Sequence, residues 1–561
     1  MSTADMTGAP MPAPELIRVF EGFGWDETFL RTARLAALLA NGHETELRKV
    51  THHSLTAFAR DGNSYLRRVA EYVAANPRRP IANESALYFV EAMALLYGSD
   101  GGQAPSDSTL AQFLLAANDY CTGWRLPDSA SLTRGEANLV NLARASIHDD
   151  GSLGARKLAR SRLLFEPAPP VPEWKDPQAW KAFQQEVFGM PFEEYFEGFA
   201  AVLSHIVGAL LADPEEPSVP YPIVEPSLWF TAKPQSKAVA EELRMTREDA
   251  KREIKRTTEG LPIGPSVFYR WPLVEILPDK LVVASPWVLR ELVSGGVWWR
   301  HMAAAKRIYG GKGGDLWLRA FGLLVEGWCQ QVAGWAGAAR DFRGRVLVPD
   351  APGTEEVEDI VILNKMDVAL FSVKARMVKE DVLKGALSDR GVIDWYNDFL
   401  FEKAKNSFRG GAVRLLDAKV RKLRAGEFSP RIHPNALVLP VIVTYDDLGA
   451  DNPSMTKWLA RRCQEEGLLQ QRRMRPLTMI DVDLFERLLG VATHGHPVTE
   501  ILKKRTKAPW DQGRLAELLR ETIRPGEFGA VPELVAAYEA ITRRIIANIF
   551  GNAHDAPNVG F

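Results

Sequence analysis

The stretch that decides the fold runs from Val357 to Arg376 and reads VEDIVILNKMDVALFSVKAR. Two apolar runs, VEDIVIL and VALFSVKA, flank Asn364-Lys365-Met366-Asp367, whose turn chemistry predicts a β-hairpin. With those residues as the loop, Leu363 pairs with Val368, and counting outward places Asp359 opposite Ser372. Side chains alternate along a strand, so Asp359, Ser372 and Lys374 share one face, above Val361 and Leu370. Ile360, Ile362, Phe371 and Val373 take the other face, and Glu358 is expected to point that way too. Both faces are apolar away from the polar end, as in the centre of a sheet covered on each side. An Asp and a Lys at the end of such a sheet need a reason, because burying charge without partners is costly.

Outward from the hairpin, helices alternate with strands. DLWLRAFGLLVEGWCQQV, Asp315 to Val332, predicts a helix before it, and Trp395 to Leu416 a helix after it. ALVLPVIVT (436–444) and LTMIDVDLFERLL (477–489) add a strand and a further unit, and SVFYRWPLVEIL and DKLVVASPWVL supply earlier strands. Together they predict an α/β domain with a mixed sheet over 265–505. The N-terminal half reads as helices: Asp26 to Leu39 before Asn41-Gly42, Tyr65 to Val73 before Pro77, and Glu84 to Tyr97 before Gly98. No fixed repeat period links them. FEPAPPVPEW and DPEEPSVPYP are stiff proline-rich connectors around a helical segment at 176–212, and a charged helix is expected from Gln235 to Lys255. The chain therefore divides into a helical domain 1–163, a proline-bracketed middle 164–264, the α/β domain 265–505 and a helical tail 506–561.

Composition narrows the classes. A chain of 561 residues with 46% hydrophobic and 25% charged residues has material for several cores and is not a disordered chain. A formal charge of −2 leaves no global field to attract nucleic acid or anionic membrane, so any such partner must meet a local patch. Cys121, Cys329 and Cys463 are too far apart for a CxxC pair or a metal knuckle and are expected as reduced, buried thiols. The N-terminus lacks a basic-then-apolar leader, and the apolar stretch Phe199 to Ala212 carries Ser204 and His205. A soluble, cytoplasmic protein without a membrane partner is expected.

The spacing Asp359-x12-Ser372-x-Lys374 across a hairpin, preceded by a helix carrying an inward Glu326, resembles the PD-(D/E)XK nuclease superfamily. The order of the following elements is similar to that of its members, and WPLVEILPDKLVVASPWVLRELVSGGVWW resembles the segment ahead of the nuclease core in restriction-like phage-defence proteins. The resemblance spans about 225 residues. It implies an α+β multidomain protein with a restriction-endonuclease-like core, a Mg²⁺ or Mn²⁺ cofactor, DNA as substrate and partner proteins in an antiviral defence system. On that implication Asp359 is the central metal ligand, Glu326 binds metal directly or through water, the main-chain carbonyl of Val373 adds an oxygen, and Lys374 orients the attacking water or steadies the phosphate. Ser372 departs from the pattern, which has Asp or Glu there. One anionic charge is thus missing, and a catalytically inactive DNA-binding subunit or a protein–protein scaffold remain as other readings. Glu355, Glu356 and Glu358 stand near enough in sequence to compensate.

From Lys403 to Arg431 nine Lys or Arg face only Asp417 and Glu427. Lys403, Lys405, Arg409, Arg414, Lys419, Arg421, Lys422 and Arg424 are accordingly candidate phosphate contacts, which bind without reading sequence. Shorter basic clusters lie at Arg472, Arg473 and Arg475 and at Lys503, Lys504, Arg505 and Lys507. Gly310-Gly-Lys-Gly-Gly314 fails the phosphate-loop pattern and reads as a lead-in to a helix capped by Asp315. His52-His53 and His494-x-His496 lack metal partners at recognised spacing, and Asp446-Asp447 reads as a loop cap.

Overall fold

The computed structural model describes residues 11–40, 84–121, 133, 136, 139–140, 155–211, 223–230, 234–257, 268, 270–284, 288–289, 292–349, 357–377, 382, 388–402, 411–507, 513–523 and 529–550. The expected helix at Tyr65 to Val73 lies outside them. The chain is a mixed α/β protein in which helices surround two small mixed sheets. No described helix is long and apolar enough to cross a membrane.

The first sheet holds β1 (Ile223–Val224), β2 (Arg244–Met245), β3 (Leu273–Leu277) and β4 (Lys280–Val283), in the order β1-β4-β3-β2. One face, Val274 and Val282, packs with Phe29, Leu87 and Tyr88 of the N-terminal helices Trp25–Ala40 and Glu84–Tyr97. Arg247 ties the same regions by donating to the carbonyls of Leu95 and Gly98. The strands at 273–283, expected in the α/β domain, thus pair outside its sheet. Arg244 and Met245 leave helical geometry to pair in parallel with Leu273 and Val274. The helix expected over 235–255 is therefore two, Pro234–Glu242 and Arg247–Thr257.

The second sheet runs β5 (Arg345–Leu347), β6 (Ile360–Asn364), β7 (Asp367–Lys374), β8 (Leu437–Thr444) and β9 (Thr478–Asp481), in that spatial order. β5, β6 and β7 are antiparallel neighbours, whereas β7, β8 and β9 run parallel. Leu363 pairs with Val368, as the sequence predicts. The ladder closes one pair further, at Asn364 and Asp367, so the turn is only Lys365-Met366, with Lys365 at φ 56°. Alternation then sorts the side chains. Ile360, Ile362, Ala369, Phe371 and Val373 join one core, and Val361, Val368 and Leu370 join another with Trp395, Tyr396, Val413 and Trp458. Pro440 is tolerated in β8 because β9 pairs only from Val441 onward, while β7 pairs along the whole strand.

The long helix Gly313–Ala338 covers the first of those faces with Phe321, Val325, Trp328, Cys329 and Val332. A Cβ on Gly313 would lie 2.0 Å from the carbonyl oxygen of Ala305, so glycine permits the tight corner with the preceding helix Val297–Tyr309. Lys312 occupies the cap position and Asp315 the first turn, where a carboxylate complements the helix dipole. The expected single helix from Trp395 to Leu416 is two, Asp389–Phe401 and Ala412–Arg424. Cys329 and Cys463 are buried free thiols, in line with expectation.

A buried polar network clamps four helices together. Arg160 of Ala155–Phe165 donates from Nε and Nη2 to both oxygens of Glu486, each at 2.8 Å, and reaches Asp483 as well. Glu486 and Asp483 lie on Val482–Thr493. Trp328 Nε1 of the long helix donates to Glu486 at 2.9 Å, and Tyr538 Oη of Pro532–Phe550 lies 3.3 Å from it. Arg160 is 6% exposed and Glu486 5%, so the pairing is made away from water.

Candidate active site

β7 and β8 end side by side at Lys374 and Thr444, and Thr444 aligns with Asp481 at the end of β9. The carboxyl ends of parallel strands are where open sheets form their sites. Asp359 sits just before β6. Its Oδ2 accepts the main-chain N–H of Val373 at 2.6 Å and lies 3.6 Å from Lys374 Nζ. Among the described residues Oδ1 has no hydrogen-bond partner. A strand residue points its N–H and C=O toward the same neighbour, so the Val373 carbonyl is directed to the Asp359 side as well. Lys374 leaves the core here and is 27% exposed at its side chain, against 15% for Asp359.

Ser372 lies inward of Lys374 on the same face, 1% exposed, with Oγ left without a hydrogen-bond partner among the described residues. Glu358 corrects the sequence expectation. It faces Ser372, Asp359 and Lys374, because residues 357–359 precede the first paired residue, Ile360, and strand alternation does not govern them. Burial first, then the Asp359 charge, push its carboxyl up to about 7, while Lys374, the Ser372 hydroxyl and Lys419 pull it back. The hydroxyl is near enough to act on Glu358 but falls short of hydrogen-bond geometry. A carboxyl group therefore stands beside the position where Ser372 lacks one.

Glu326 joins from the long helix through a residue that sequence reasoning passed over. Gln330 Nε2 donates to Glu326 Oε1 at 2.9 Å and to the Asp359 carbonyl at 3.3 Å, so one amide links the Glu326 carboxylate to the Asp359 main chain. The spacing of four residues on one helix was the available signal. Both acids also act on the buried Cys329 thiol, which burial pushes up most strongly. The structure thus gathers Glu326, Glu358, Asp359, Ser372, Val373 and Lys374 at one end of the sheet.

This donor set is all oxygen, with an orphaned buried hydroxyl and an unclaimed carboxylate oxygen, and it fits a small hard cation. Among the described residues no three His, Cys, Asp or Glu converge closely enough to enclose an ion by themselves. Mg²⁺ commonly takes one or two carboxylates and keeps several waters, so the set matches its usual demand.

The basic residues divide. Lys403, Lys405 and Arg409 lie outside the described residues, as do Glu355 and Glu356. Arg424 spends its guanidinium on the carbonyls of Pro434, Ala436, Arg472 and Arg473, and Arg414 on the Phe401 carbonyl and Glu466. These two hold loops in place. Arg421 pairs with Asp417 within its helix and Lys422 lies 3.6 Å from Glu427, both partly open to solvent. The Lys419 charge acts weakly on Glu358. Of the other clusters, Lys503 binds Asp367 at 2.8 Å, and Arg505 is buried and donates to Thr456. Asp447 caps its loop by accepting the Ala450 N–H at 3.0 Å.

The raised Glu358 carboxyl makes a testable statement. Its ordinary value is 4.5 and its folded value about 7, so the fold favours the protonated form. That contribution is complete below the unfolded value and is lost as pH rises through 7. The melting temperature is expected to fall across this window, with a slope of at most about 1.4 kcal/mol per pH unit from this group, and Glu358→Gln to flatten it. Equal pH profiles for wild type and variant would remove Glu358 from the buried cluster. No protein-family model, curated protein or solved structure matches the chain.

Proposed function

We propose that the chain is a divalent-metal-dependent phosphodiester hydrolase acting on DNA, with a restriction-endonuclease-like core. The observation that carries this reading is the pairing of Asp359 and Lys374 at the end of the central hairpin, with Asp359 Oδ1 unclaimed and Glu358 beside Ser372. Asp359, Glu358 or Glu326, and the Val373 carbonyl would hold Mg²⁺. The ion would supply a water acidic enough to attack at neutral pH and relief of charge on the phosphate. Asp359 is held ready by the Val373 N–H, so its carboxylate does not reorient to bind. Lys374 places a positive charge where negative charge grows during hydrolysis, and Gln330 fixes Glu326 against the Asp359 main chain. Lys419, Arg421 and Lys422 would contact the DNA backbone.

A role in antiviral defence, with partner proteins, accompanies the resemblance of the hairpin and its flanking elements. Ser372 favours a second reading, a nuclease fold that binds DNA without cutting it. The test is incubation of the full chain with supercoiled and linear DNA in Mg²⁺ or Mn²⁺, beside EDTA. Metal-dependent nicking or linearisation supports hydrolysis. Retention of DNA in a gel without any cleavage supports the second reading, and neither result at low salt would remove both.

A further inference from the structure

Arg376 is a charged side chain close to the candidate site with no ionic partner among the described residues. It follows Lys374 by two residues, where the chain leaves β7, and its backbone is pinned: its N–H donates to the Lys374 carbonyl at 2.6 Å, and its carbonyl accepts the Asp446 N–H at 3.3 Å. The guanidinium lies over two rings of the helix Asp389–Phe401, 5.8 Å from the Trp395 centroid and 5.3 Å from that of Phe399. Among the described residues no carboxylate lies within ion-pairing distance, Asp398 acting on it only from farther away. Nε is buried without an acceptor. Trp395, one of the rings beneath it, is 2% exposed and its Nε1 also lacks an acceptor.

Nε of Arg424, Arg462, Arg475 and Arg505 is likewise buried without an acceptor among the described residues, so the orphaned Nε alone does not single out Arg376; other buried guanidinium groups do find anionic or carbonyl partners for their terminal nitrogens. Arg160 has Glu486 and Asp483, and Arg424 has four carbonyls. Taking a guanidinium out of water without an anion is costly, and stacking on aromatic faces recovers only about 0.5–2 kcal/mol. What contact with two rings does provide is a restricted position for the guanidinium. A planar fork confined near Lys374 suits the paired oxygens of a phosphodiester, which guanidinium binds in two parallel hydrogen bonds.

We infer that Arg376 is a DNA-binding residue that grips the phosphate next to the one Lys374 works on. This rests on the reading of the site as a DNA phosphodiesterase. It assigns to the aromatic pair Trp395 and Phe399 the task of aiming the fork.

The test is fluorescence anisotropy of a short fluorescein-labelled duplex with the full chain in EDTA, across a salt series, for wild type, Arg376→Met, Arg376→Lys and Lys374→Ala. Arg376→Met is expected to weaken binding roughly tenfold and to reduce the slope of log affinity against log salt by about one. Arg376→Lys should restore the slope, which counts charges, while recovering affinity only in part because it lacks the fork. It also guards against a folding defect, since it keeps the stem and charge. If wild type binds the duplex and Arg376→Met matches it in affinity and slope, the inference fails alone. If wild type binds no duplex at low salt, the inference fails together with the reading it rests on.

Discussion

Lys374→Ala is expected to lower metal-dependent DNA cleavage by about 10²–10³-fold, the scale of losing one well-placed group that stabilises developing charge, while leaving the fold almost untouched. The two halves of that expectation discriminate between explanations. Lys374 is partly exposed and 3.6 Å from Asp359, so as an ion pair it contributes only about 0–1 kcal/mol. Asp359 keeps its hydrogen bond from the Val373 N–H in the variant, so the carboxylate stays in place. If the pair were purely structural, activity and stability would move together and modestly. If the pair is catalytic, the cleavage rate collapses at an unchanged melting temperature. Lys374→Arg should not rescue fully, because a planar fork replaces a compact ammonium. Cleavage by Lys374→Ala at the wild-type rate would remove Lys374 from the site.

The largest stability effect is expected at Arg160. Arg160→Met leaves Glu486 and Asp483 facing one another around Trp328 and Tyr538 without their cation, and breaking a buried pair from one side costs about 3–5 kcal/mol. Burial already pushes the Glu486 carboxyl up, and Arg160 is the main group pulling it back. Without that pull Glu486 takes up a proton, which softens the loss. Glu486→Gln added to Arg160→Met should therefore recover part of the stability, a coupling that a double-mutant cycle measures directly. The readout is the midpoint of urea unfolding followed by tryptophan fluorescence. A shift equivalent to less than about 1 kcal/mol for Arg160→Met would contradict the clamp. Trp328 lies two residues from Glu326 on the long helix, so the same network steadies the helix that presents the candidate metal ligand.

The parts of the architecture that depend on local pattern were readable. The hairpin register and the two apolar faces follow from period-two alternation about a polar turn, and β6 and β7 adopt them, whereas Asp359 lies beyond the paired residues and meets Lys374 through its contact with the Val373 N–H. Glu358 was misplaced because alternation was extended past Ile360 into chain that no longer pairs. The split at Arg244-Met245 was hidden because a charged helical pattern continues across it, and only pairing with the distant β3 overrides it. The membership of β3 and β4 in a separate sheet is likewise a choice of partner, invisible to local composition. Arg424 looked like one more cation in a basic run. Its four carbonyl acceptors come from chain 10 to 49 residues away, so its structural role appears only in three dimensions.

The central claim is that the end of the hairpin binds a divalent cation through Asp359. Its most direct measurement is anomalous diffraction from Mn²⁺-soaked crystals of the full chain, with an Asp359→Asn crystal alongside. A single strong peak at bonding distance from the Asp359 carboxylate, shared with Glu358 or Glu326 and absent from Asp359→Asn, is the predicted result. Saturating Mn²⁺ that leaves no peak there, with Asp359 bound only to Val373 and Lys374, would contradict it.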